Sequence, residues 1–500
     1  MITAKIGTKS FRVPEDLEAY FKSFRSHVIG IDQKFDSPYG KKEIIYADWT
    51  ASGRLYRPIE YRMTEVIGPF MANTHTESNV TSLMMTGIYH QAKQIIKDHV
   101  NAGPLDVVLL DGFGMTSVMN KFQRMLGLRV HERWKSSLPL SEKNRPVIFI
   151  THMEHHSNQT SWLETIAEVV KINPDPAGNV DLDHLENCLK SYRERPLKIG
   201  AFTACSNVTG IQTPYHQLAK LMHVHGGLCL VDFAASAPYV KINMHPKDPL
   251  EKLDGVFFSP HKFLGGPGTS GVAVFDSRLY KNKVPDHPGG GTVIWTNPWG
   301  EHQYYQEIEL REDGGTPGIL QAIRTGMCLT LKEAMGVENI LKREKQQTSL
   351  LLSELEKLPK LHILEGHIKD RLGIISFYVE GIHYNLIVRL LNDRYGIQVR
   401  GGCSCAGTYG HYLLNINKKA SKQITDQINH GDLSGKPGWV RISIHPIMTN
   451  GEIQLLVQAI GEIIENIETW KRDYRYDPAS NDYYFIHFKR EDMAPYFFAE

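Results

Sequence analysis

The sequence predicts an α/β protein with a mostly parallel sheet in a large domain and a smaller α+β domain toward the C-terminus. Three observations predict this fold class. Between about residues 105 and 275, short apolar runs alternate with helical stretches, as in a sheet whose strands are buried on both faces. Beyond about residue 330, a long charged helix and more widely spaced strands follow. The chain has 500 residues, which is more than one hydrophobic core usually serves, so we expect two domains.

The large domain is predicted to contain seven strands. Each corresponds to a short run rich in valine, isoleucine, leucine and phenylalanine, and helical stretches such as 214–224 separate some of the runs. The runs are 107–111, 146–150, 168–172, 199–202, 228–232, 255–259 and 271–275. Strands that alternate with helices in this way are typical of a mostly parallel sheet.

The C-terminal part of the chain predicts a different arrangement. A charged helix over 331–358 precedes four short strands and two further helices. The strands are 361–365, 373–377, 396–400 and 439–444, and the helices are about 383–394 and 452–470. We therefore expect four parts: an N-terminal segment 1–44 that packs with the small domain, a large domain 45–330, a small domain 331–470 and an aromatic-rich C-terminal extension 471–500.

Composition excludes several classes of protein. The net charge is +1, so no basic excess marks a nucleic-acid-binding protein. The longest apolar runs are far shorter than a membrane span, and the N-terminus has no apolar signal segment. Six cysteines are scattered through the chain, which is no disulfide framework and fits a reducing compartment. We expect a cytoplasmic protein that binds neither nucleic acid nor membrane.

Polar residues follow the predicted strands at the point where each strand ends, which is where open α/β sheets bind ligands. The first strand leads through two glycines into a helix that carries Thr116 in its first turn, an arrangement that suits a phosphate. Asp232 ends a buried strand and needs a cationic partner or a protonated nitrogen. Lys262 lies between a strand end and a glycine run, where a desolvated lysine can act as a nucleophile. Taken singly, each is also compatible with an ordinary turn, a structural ion pair or a surface lysine.

Two further segments complete this set of strand ends. The segment after the second strand contains His155 and His156, whose side chains diverge and lack an evident third ligand, so we expect no metal site. One imidazole of this pair can instead stack on a flat cofactor ring. Asn207 follows the fourth strand and can hydrogen-bond a ligand or hold its own turn. A phosphate site, a stacking histidine, an aspartate and a lysine in this order match what pyridoxal 5'-phosphate requires.

The motifs that carry these residues also occur together in a known family. They are "YADWTASG", "GMTSVMN", "MEHHSN", "SNVTG", "VDFAASAP", "SPHKFLGGPGTSG", "DGGTPG" and "VRISIHP", and they extend from about Tyr46 to Arg441. This ordered set resembles the class V aminotransferase family of fold-type I pyridoxal phosphate enzymes. It is most similar to the second-group cysteine desulfurases and selenocysteine lyases.

The resemblance implies a role for each matching residue. Lys262 binds the cofactor covalently and acts as base, His155 stacks on its ring with a catalytic role, and Asp232 and Asn207 contact the ring. The residues implied to contact the phosphate are Thr116, Ser259, His261 and, from the neighbouring subunit, Thr316. The last contact implies a homodimer. Arg441, together with Asn207, is implied to bind the substrate, and a bidentate guanidinium suits an amino-acid carboxylate.

A glycine-rich loop near the C-terminus contains two cysteines, Cys403 and Cys405. The glycines predict a mobile loop. The stretch "RGGCSCA" matches the desulfurase pattern Arg-x-Gly-x-x-Cys-Ala and places Cys405 at the sulfur-accepting position. The resemblance then implies conversion of L-cysteine to L-alanine with a persulfide on Cys405, and a possible sulfur-acceptor protein. A thiolate is the nucleophile that this chemistry requires.

The sequence departs from the family pattern at four places. Ala235 stands where the family often has a glutamine that touches the cofactor, and Cys403 and Ser404 replace a histidine pair. The segment 407–438 is longer than usual, and the extension 471–500 has no counterpart. Three alternatives therefore stay open: another class V enzyme such as an aminotransferase, epimerase or C–S lyase; a metal-binding or sulfur-carrier protein that uses Cys403 and Cys405; and a regulatory protein that has lost activity.

Overall fold

The computed structural model of the chain describes residues 16–74, 78–488 and 497. Within these ranges the chain forms fifteen α-helices and nineteen strands. The helices are α1 (Leu17–Arg25), α2 (Arg57–Tyr61), α3 (Val80–His99), α4 (Met115–Met125), α5 (Glu132–Lys135), α6 (His156–Leu163), α7 (Leu182–Ser191), α8 (Tyr215–Val224), α9 (Ile308–Arg311), α10 (Ile319–Met335), α11 (Val337–Leu355), α12 (Tyr384–Tyr395), α13 (Gly407–Leu413), α14 (Lys418–Asn429) and α15 (Asn450–Trp470). The strands are β1 (Lys34–Ser37), β2 (Gly40–Glu43), β3 (Ile45–Tyr46), β4 (Asp106–Asp111), β5 (Val147–Ile150), β6 (Glu168–Lys171), β7 (Lys198–Thr203), β8 (Leu228–Asp232), β9 (Gly255–Phe258), β10 (Gly271–Asp276), β11 (Val293–Thr296), β12 (His302–Tyr304), β13 (Leu361–Ile363), β14 (Ile374–Val379), β15 (Ile397–Gln398), β16 (Arg400–Gly402), β17 (Trp439–Ser443), β18 (Tyr474–Asp477) and β19 (Asp482–Phe485).

The seven predicted strands of the large domain form one sheet in the order β4-β10-β9-β8-β7-β5-β6. Strands β5 to β9 pair in parallel, and β10 runs antiparallel to both of its neighbours. The prediction of a mostly parallel sheet is therefore confirmed. Since β4 and the parallel strands run in the same direction, their carboxyl ends lie at one edge of the sheet.

Both faces of this sheet are covered by helices. The four residues of β5 are all buried, and alternate side chains enter different clusters. Val147 and Phe149 pack into the cluster that includes α8, whereas Ile148 and Ile150 pack against α4 and α6. A strand buried on both faces is expected to be apolar at every position, which explains the unbroken apolar runs in the sequence.

The smaller sheet has four antiparallel strands in the order β13-β14-β17-β16. The predicted strand 396–400 is divided in two. Its first part, β15, pairs in parallel with β3 near the N-terminus, and the chain then changes partner so that β16 pairs with β17. The N-terminal helix α1 also reaches the small domain, where Arg25 forms two hydrogen bonds of 2.9 Å with Glu452. Residues 1–15 of the predicted N-terminal segment lie outside the described residues.

The segment 407–438 forms α13 and α14, and the predicted C-terminal extension begins with an antiparallel hairpin of β18 and β19. Residues 489–496 and 498–500 of that extension lie outside the described part. Among the described helices, none combines the length and the apolar character needed to cross a bilayer. Three of the cysteines, Cys205, Cys229 and Cys328, are buried as expected of small core residues, whereas Cys188 is half-buried.

Candidate active site

A cavity of about 230 Å³ lies at the carboxyl ends of the parallel strands. Nine of the ten residues predicted from the sequence line it: Thr116, His155, Asn207, Asp232, Ser259, His261, Lys262, Cys405 and Arg441. They come from five strand ends of the large sheet and from two segments of the small domain. The geometry therefore brings together groups as far apart in the chain as Thr116 and Arg441, which are separated by 325 residues.

Thr316 is the one predicted site residue that does not line this cavity. It is exposed, and its hydroxyl accepts a hydrogen bond of 3.3 Å from Nδ2 of Asn73. Thr316 therefore does not reach the cavity of its own chain. The resemblance implies a role for it in the cavity of a neighbouring subunit.

The N-terminus of α4 forms one end of the cavity. Gly112 and Gly114 precede it with φ angles of +47° and +78°, which glycine adopts without strain. A Cβ atom on Gly114 would lie 2.9 Å from Oγ of Ser259, so the glycine permits close approach of this side chain. The N–H of Met115 donates to that oxygen at 2.8 Å, and Oγ1 of Thr116 lies 2.6 Å from Oγ of Ser157. Hydroxyl groups around a helix N-terminus form a suitable phosphate site.

Asp232 lies at the end of β8 and is 4% exposed. Its Oδ1 accepts a hydrogen bond of 2.8 Å from the N–H of Ala234. Burial raises the pKa of this carboxyl group to about 6, although the Ala234 N–H and Lys262 act in the opposite direction. Within the described part of the chain, Lys262 is the basic residue whose charge acts on Asp232, and the two side chains form no ion pair. A buried carboxylate of this kind is stabilised by a ligand that presents a protonated nitrogen.

Lys262 follows β9 in a short turn over 260–262. Removal from water lowers the pKa of its amine to about 8, and the charge of Asp232 only partly offsets this effect. The turn is closely packed, because a Cβ atom on Gly266 would lie 1.9 Å from the carbonyl oxygen of Pro260. A Cβ atom on Gly53 would lie 1.8 Å from the carbonyl oxygen of Phe263. The glycine of "YADWTASG" thus lets this segment pack directly against the backbone of "SPHKFLGG", next to Lys262.

His155 caps the N-terminus of α6. Its Nδ1 accepts a hydrogen bond of 3.1 Å from the N–H of Ser157, so the proton of the neutral ring is on Nε2. Burial, followed by the charges of Lys262 and His156, lowers the pKa of the imidazole to about 3. The ring is therefore neutral at physiological pH and presents Nε2–H as a donor.

Two arginines in the cavity share one carboxylate that the sequence analysis did not single out. Asp48 accepts a hydrogen bond of 2.8 Å from Nη2 of Arg441 and lies 3.0 Å from Nη2 of Arg400. Nη1 of Arg441 also donates to the carbonyl oxygen of Asn207 at 3.1 Å. Asp48 thereby holds both guanidinium groups at the cavity. Asp48 belongs to the motif "YADWTASG", but the two arginines that it binds lie more than 350 residues away in the sequence.

The loop that carries Cys405 is anchored to the large domain, although its glycines predicted a mobile segment. Ser404 and Cys405 have φ angles of +52° and +56°. The N–H of His156 donates to the carbonyl oxygen of Cys405 at 2.8 Å, and Nδ2 of Asn207 donates to that of Ser404 at 2.7 Å. The N–H of Gly407 donates to Nε2 of His156 at 2.9 Å. His156 thus contacts the chain on both sides of Ala406, a role that the sequence analysis missed.

We expect this anchor to depend on pH. Burial, with a smaller effect from Lys436, lowers the pKa of His156 below 6.5, and its Nε2 accepts the Gly407 N–H only when the ring is neutral. The anchor is therefore complete above pH 6.5 and is lost as the pH falls through the lowered pKa. Loss of one such bond corresponds to about 0.5–1.5 kcal/mol. Hydrogen-exchange protection factors of the Gly407 amide, measured from pH 8 to 5, should fall by up to about tenfold.

Two substitutions test this expectation. His156→Ala should lower protection at pH 8 to the level that the wild type reaches at acidic pH. His156→Gln supplies an amide oxygen as acceptor, so its protection should vary little with pH. Equal protection of Gly407 in the wild type and His156→Ala at pH 8 would show that the bond does not hold the loop.

Comparisons with known proteins find one family model and several proteins that are similar to this chain. The sequence model of the family described as aminotransferase class-V matches residues 45–456. A cysteine desulfurase of Escherichia coli O8 (strain IAI1) is 33% identical over 267 residues, which are 52% of this chain and 62% of that protein. The chain thus spans less than two thirds of the length of this relative. A probable cysteine desulfurase of Halalkalibacterium halodurans is 26% identical over 380 residues, 74% of this chain and 86% of that protein.

A solved structure is also similar. It is the apo structure of cysteine desulfurase from Thermococcus onnurineus NA1, with a TM-score of 0.70 and 23% sequence identity, and the match covers 91% of this chain and 99% of that one. At this level of identity the likeness concerns the fold.

Proposed function

Because the chain belongs to the aminotransferase class-V family, we propose that it is a pyridoxal 5'-phosphate-dependent cysteine desulfurase. It converts L-cysteine to L-alanine and leaves the sulfur as a persulfide on Cys405. The observation that carries this proposal is that Cys405 and Lys262 line the same cavity. The names of the relatives from Escherichia coli and Halalkalibacterium halodurans support the same activity.

The residues of the cavity fit pyridoxal phosphate. The buried carboxylate of Asp232 suits a protonated pyridine nitrogen, and the N-terminus of α4 with Thr116 and Ser259 suits the phosphate. His261, whose ring lies 3.5 Å from the position of a Cβ on Gly114, belongs to the same end of the cavity. Oδ1 of Asn207 is buried and has no hydrogen-bond partner among the described residues, which leaves an acceptor for a ligand. Lys262 supplies the amine for covalent binding.

Each side chain has a separate task in the proposed reaction. Bound pyridoxal phosphate supplies a ring that withdraws electrons from the substrate Cα. Arg441 binds the substrate carboxylate, and His155, whose neutral ring carries its proton on Nε2, would help to hold the cofactor ring. Nζ of Lys262, with its pKa lowered to about 8, accepts the proton from Cα and returns it.

Cys405 carries out the sulfur transfer. Its Sγ, as a thiolate, bonds to the substrate sulfur while the bond between that sulfur and the substrate carbon breaks. The electron pair stays on the carbon and a proton completes alanine, so no external oxidant or reductant is needed. Cys405 is exposed, which allows a second thiol to take the sulfur from it. We infer that a sulfur-acceptor protein provides that thiol.

The proposal includes a homodimer in which Thr316 contacts the phosphate bound by the other subunit. Support comes from the exposure of Thr316 and from large apolar side chains on the surface. Phe113 at the mouth of the cavity is 95% exposed and Trp299 is 83% exposed. We assign these two exposed side chains to the interface between the subunits. We also place the protein in the cytoplasm, because the six cysteines are free thiols.

A single-turnover assay tests the activity. Protein loaded with pyridoxal phosphate receives L-cysteine without reductant, and alanine and protein-bound persulfide are then quantified. We expect about one alanine and one persulfide per site. A yellow protein that forms neither product would contradict the proposal and would favour another class V reaction on a different amino acid. The same assay with other L-amino acids would then identify that substrate.

A further inference from the structure

The C-terminal hairpin of β18 and β19 lies beyond the part of the chain that matches the family, which ends at residue 456. Its turn packs on the N-terminus of α12. This helix in turn contacts the strand that leads into the Cys405 loop. Helix α12 therefore lies between the hairpin and the strand that leads into the loop with the proposed sulfur acceptor.

Asn481 connects the hairpin to α12. It is 6% exposed and has a φ angle of +54°. Its Nδ2 donates to Oη of Tyr384 at 2.6 Å, and its Oδ1 accepts from Oη of Tyr476 at 2.8 Å. Its carbonyl oxygen accepts from Nδ2 of Asn385. The side chain and backbone of one buried residue thus bind both of the first two residues of α12.

Tyr384 and Asn385 contact the chain at both ends of the segment between β16 and β17. A Cβ atom on Gly438 would lie 2.7 Å from the ring of Tyr384, and one on Gly401 would lie 2.2 Å from Oδ1 of Asn385. The phenol of Tyr384 also donates to the carbonyl oxygen of Lys436 at 3.2 Å. Gly401 lies in β16, which leads into the Cys405 loop, and Gly438 immediately precedes β17. Tyr384 and Asn385 therefore contact the two points at which the segment between β16 and β17 leaves and rejoins the sheet.

Two further contacts fix the hairpin and the inserted segment. The N–H of Leu433 donates to the carbonyl oxygen of Pro478 at 2.9 Å, which ties the segment 407–438 to the turn. Arg389 of α12 forms an ion pair of 2.6 Å with Asp482. At the other end of the path, Nε1 of Trp439 donates to Oγ of Ser404 at 3.2 Å, next to Cys405.

We propose that the hairpin is a positioning element for Cys405, in which Asn481 acts through Tyr384 on the base of the loop. The link to sulfur transfer rests on the proposed function. The mechanical part does not, because the position of the loop can be measured without catalysis. In this proposal Asn481 and Tyr384 are positioning residues, and neither touches the substrate.

Two substitutions separate the contacts from general stability. Asn481→Gly accommodates the left-handed backbone, so it removes only the side-chain hydrogen bonds. Tyr384→Phe keeps the ring against Gly438 and removes both bonds of its hydroxyl group. Arg475→Ala is the matched control, because Arg475 is an exposed residue of the same hairpin. Thermal unfolding is measured for all three variants.

Hydrogen exchange is the first readout. We expect the protection of amides 400–410 and 433–436 to fall about 3- to 10-fold in Asn481→Gly and Tyr384→Phe and to stay unchanged in Arg475→Ala. Unchanged protection of these amides in both variants would overturn the proposal. So would an equal loss of protection throughout the chain, because that result would assign the hairpin a purely stabilising role.

The single-turnover assay is the second readout. We expect the maximal rate of persulfide formation on Cys405 to fall about 3- to 10-fold. The L-cysteine concentration that gives half of this rate should stay unchanged, because Arg441 and Lys262 are untouched. A fall in the rate that appears equally in Arg475→Ala would overturn the specific role of Asn481. If the wild type forms no persulfide, the proposed function fails, and the exchange measurement still decides whether the hairpin holds the loop.

Discussion

Replacing Lys262 by alanine is expected to abolish alanine formation from L-cysteine, with a loss of at least about a hundredfold. The substitution removes the amine that we propose as the covalent attachment point of the cofactor and as the base that moves the Cα proton. It leaves Asp232 and the phosphate end of the cavity in place, so pyridoxal phosphate should still bind. Borohydride, however, should no longer attach the cofactor covalently to the protein. Initial rates of alanine release and the borohydride reaction, measured in parallel, check both effects.

Lys262→Arg is the matched control for charge. It keeps a cation next to Asp232, and a guanidinium is effectively always protonated, so the variant should be as inactive as the alanine variant. The pH dependence of cofactor attachment gives an independent check. With a pKa lowered to about 8, half of the amine is neutral near pH 8, and the neutral fraction levels off about one to two pH units higher. Attachment that still accelerates beyond pH 10, or a Lys262→Ala protein that retains wild-type rates, would contradict the role assigned to this lysine.

The sequence predicted the large domain well because its information is local. All seven apolar runs form strands. The five inner strands are apolar along most of their length because they are buried on both faces. The site followed from the strands, because parallel strands place their carboxyl ends at one edge of the sheet. This is why the residues after five different strands could be assigned to one cavity before any contact was known.

What the sequence did not predict depends on contacts between distant segments. Asp48 and Arg441 are almost 400 residues apart, and only the fold shows that they form an ion pair. The predicted strand 396–400 is divided because its first residues pair with β3 and its last residue pairs with β17. A short apolar run does not reveal such a change of partner. In the C-terminal extension, the alternation in "YRYDPASNDYYF" around an Asp-Pro-containing turn is a hairpin signal that the prediction of an aromatic-rich tail did not use.

Replacing Cys405 by serine is expected to eliminate the protein-bound persulfide and to lower alanine formation by at least about a hundredfold. The hydroxyl of serine is nearly the same size but is a poor nucleophile toward sulfur, so the C–S bond of the substrate loses its acceptor. Serine also keeps an L-residue at the φ angle of +56°, so backbone strain is the same in both proteins. Cofactor absorbance should be unchanged, because the residues that we propose to bind the ring and phosphate are untouched. Mass spectrometry of the 399–407 peptide and single-turnover alanine yields provide the measurement.

Cys403→Ser is the control that decides between the two thiols of the loop. Cys403 is half-buried and does not line the cavity, whereas Cys405 is exposed and does. We therefore expect Cys403→Ser to retain the persulfide on Cys405 and the wild-type alanine yield. The reverse result, with activity lost in Cys403→Ser and kept in Cys405→Ser, would move the acceptor two residues along the loop. Full alanine formation from L-cysteine in both variants would show that neither thiol alone is the required sulfur acceptor, and it would contradict the role assigned to Cys405.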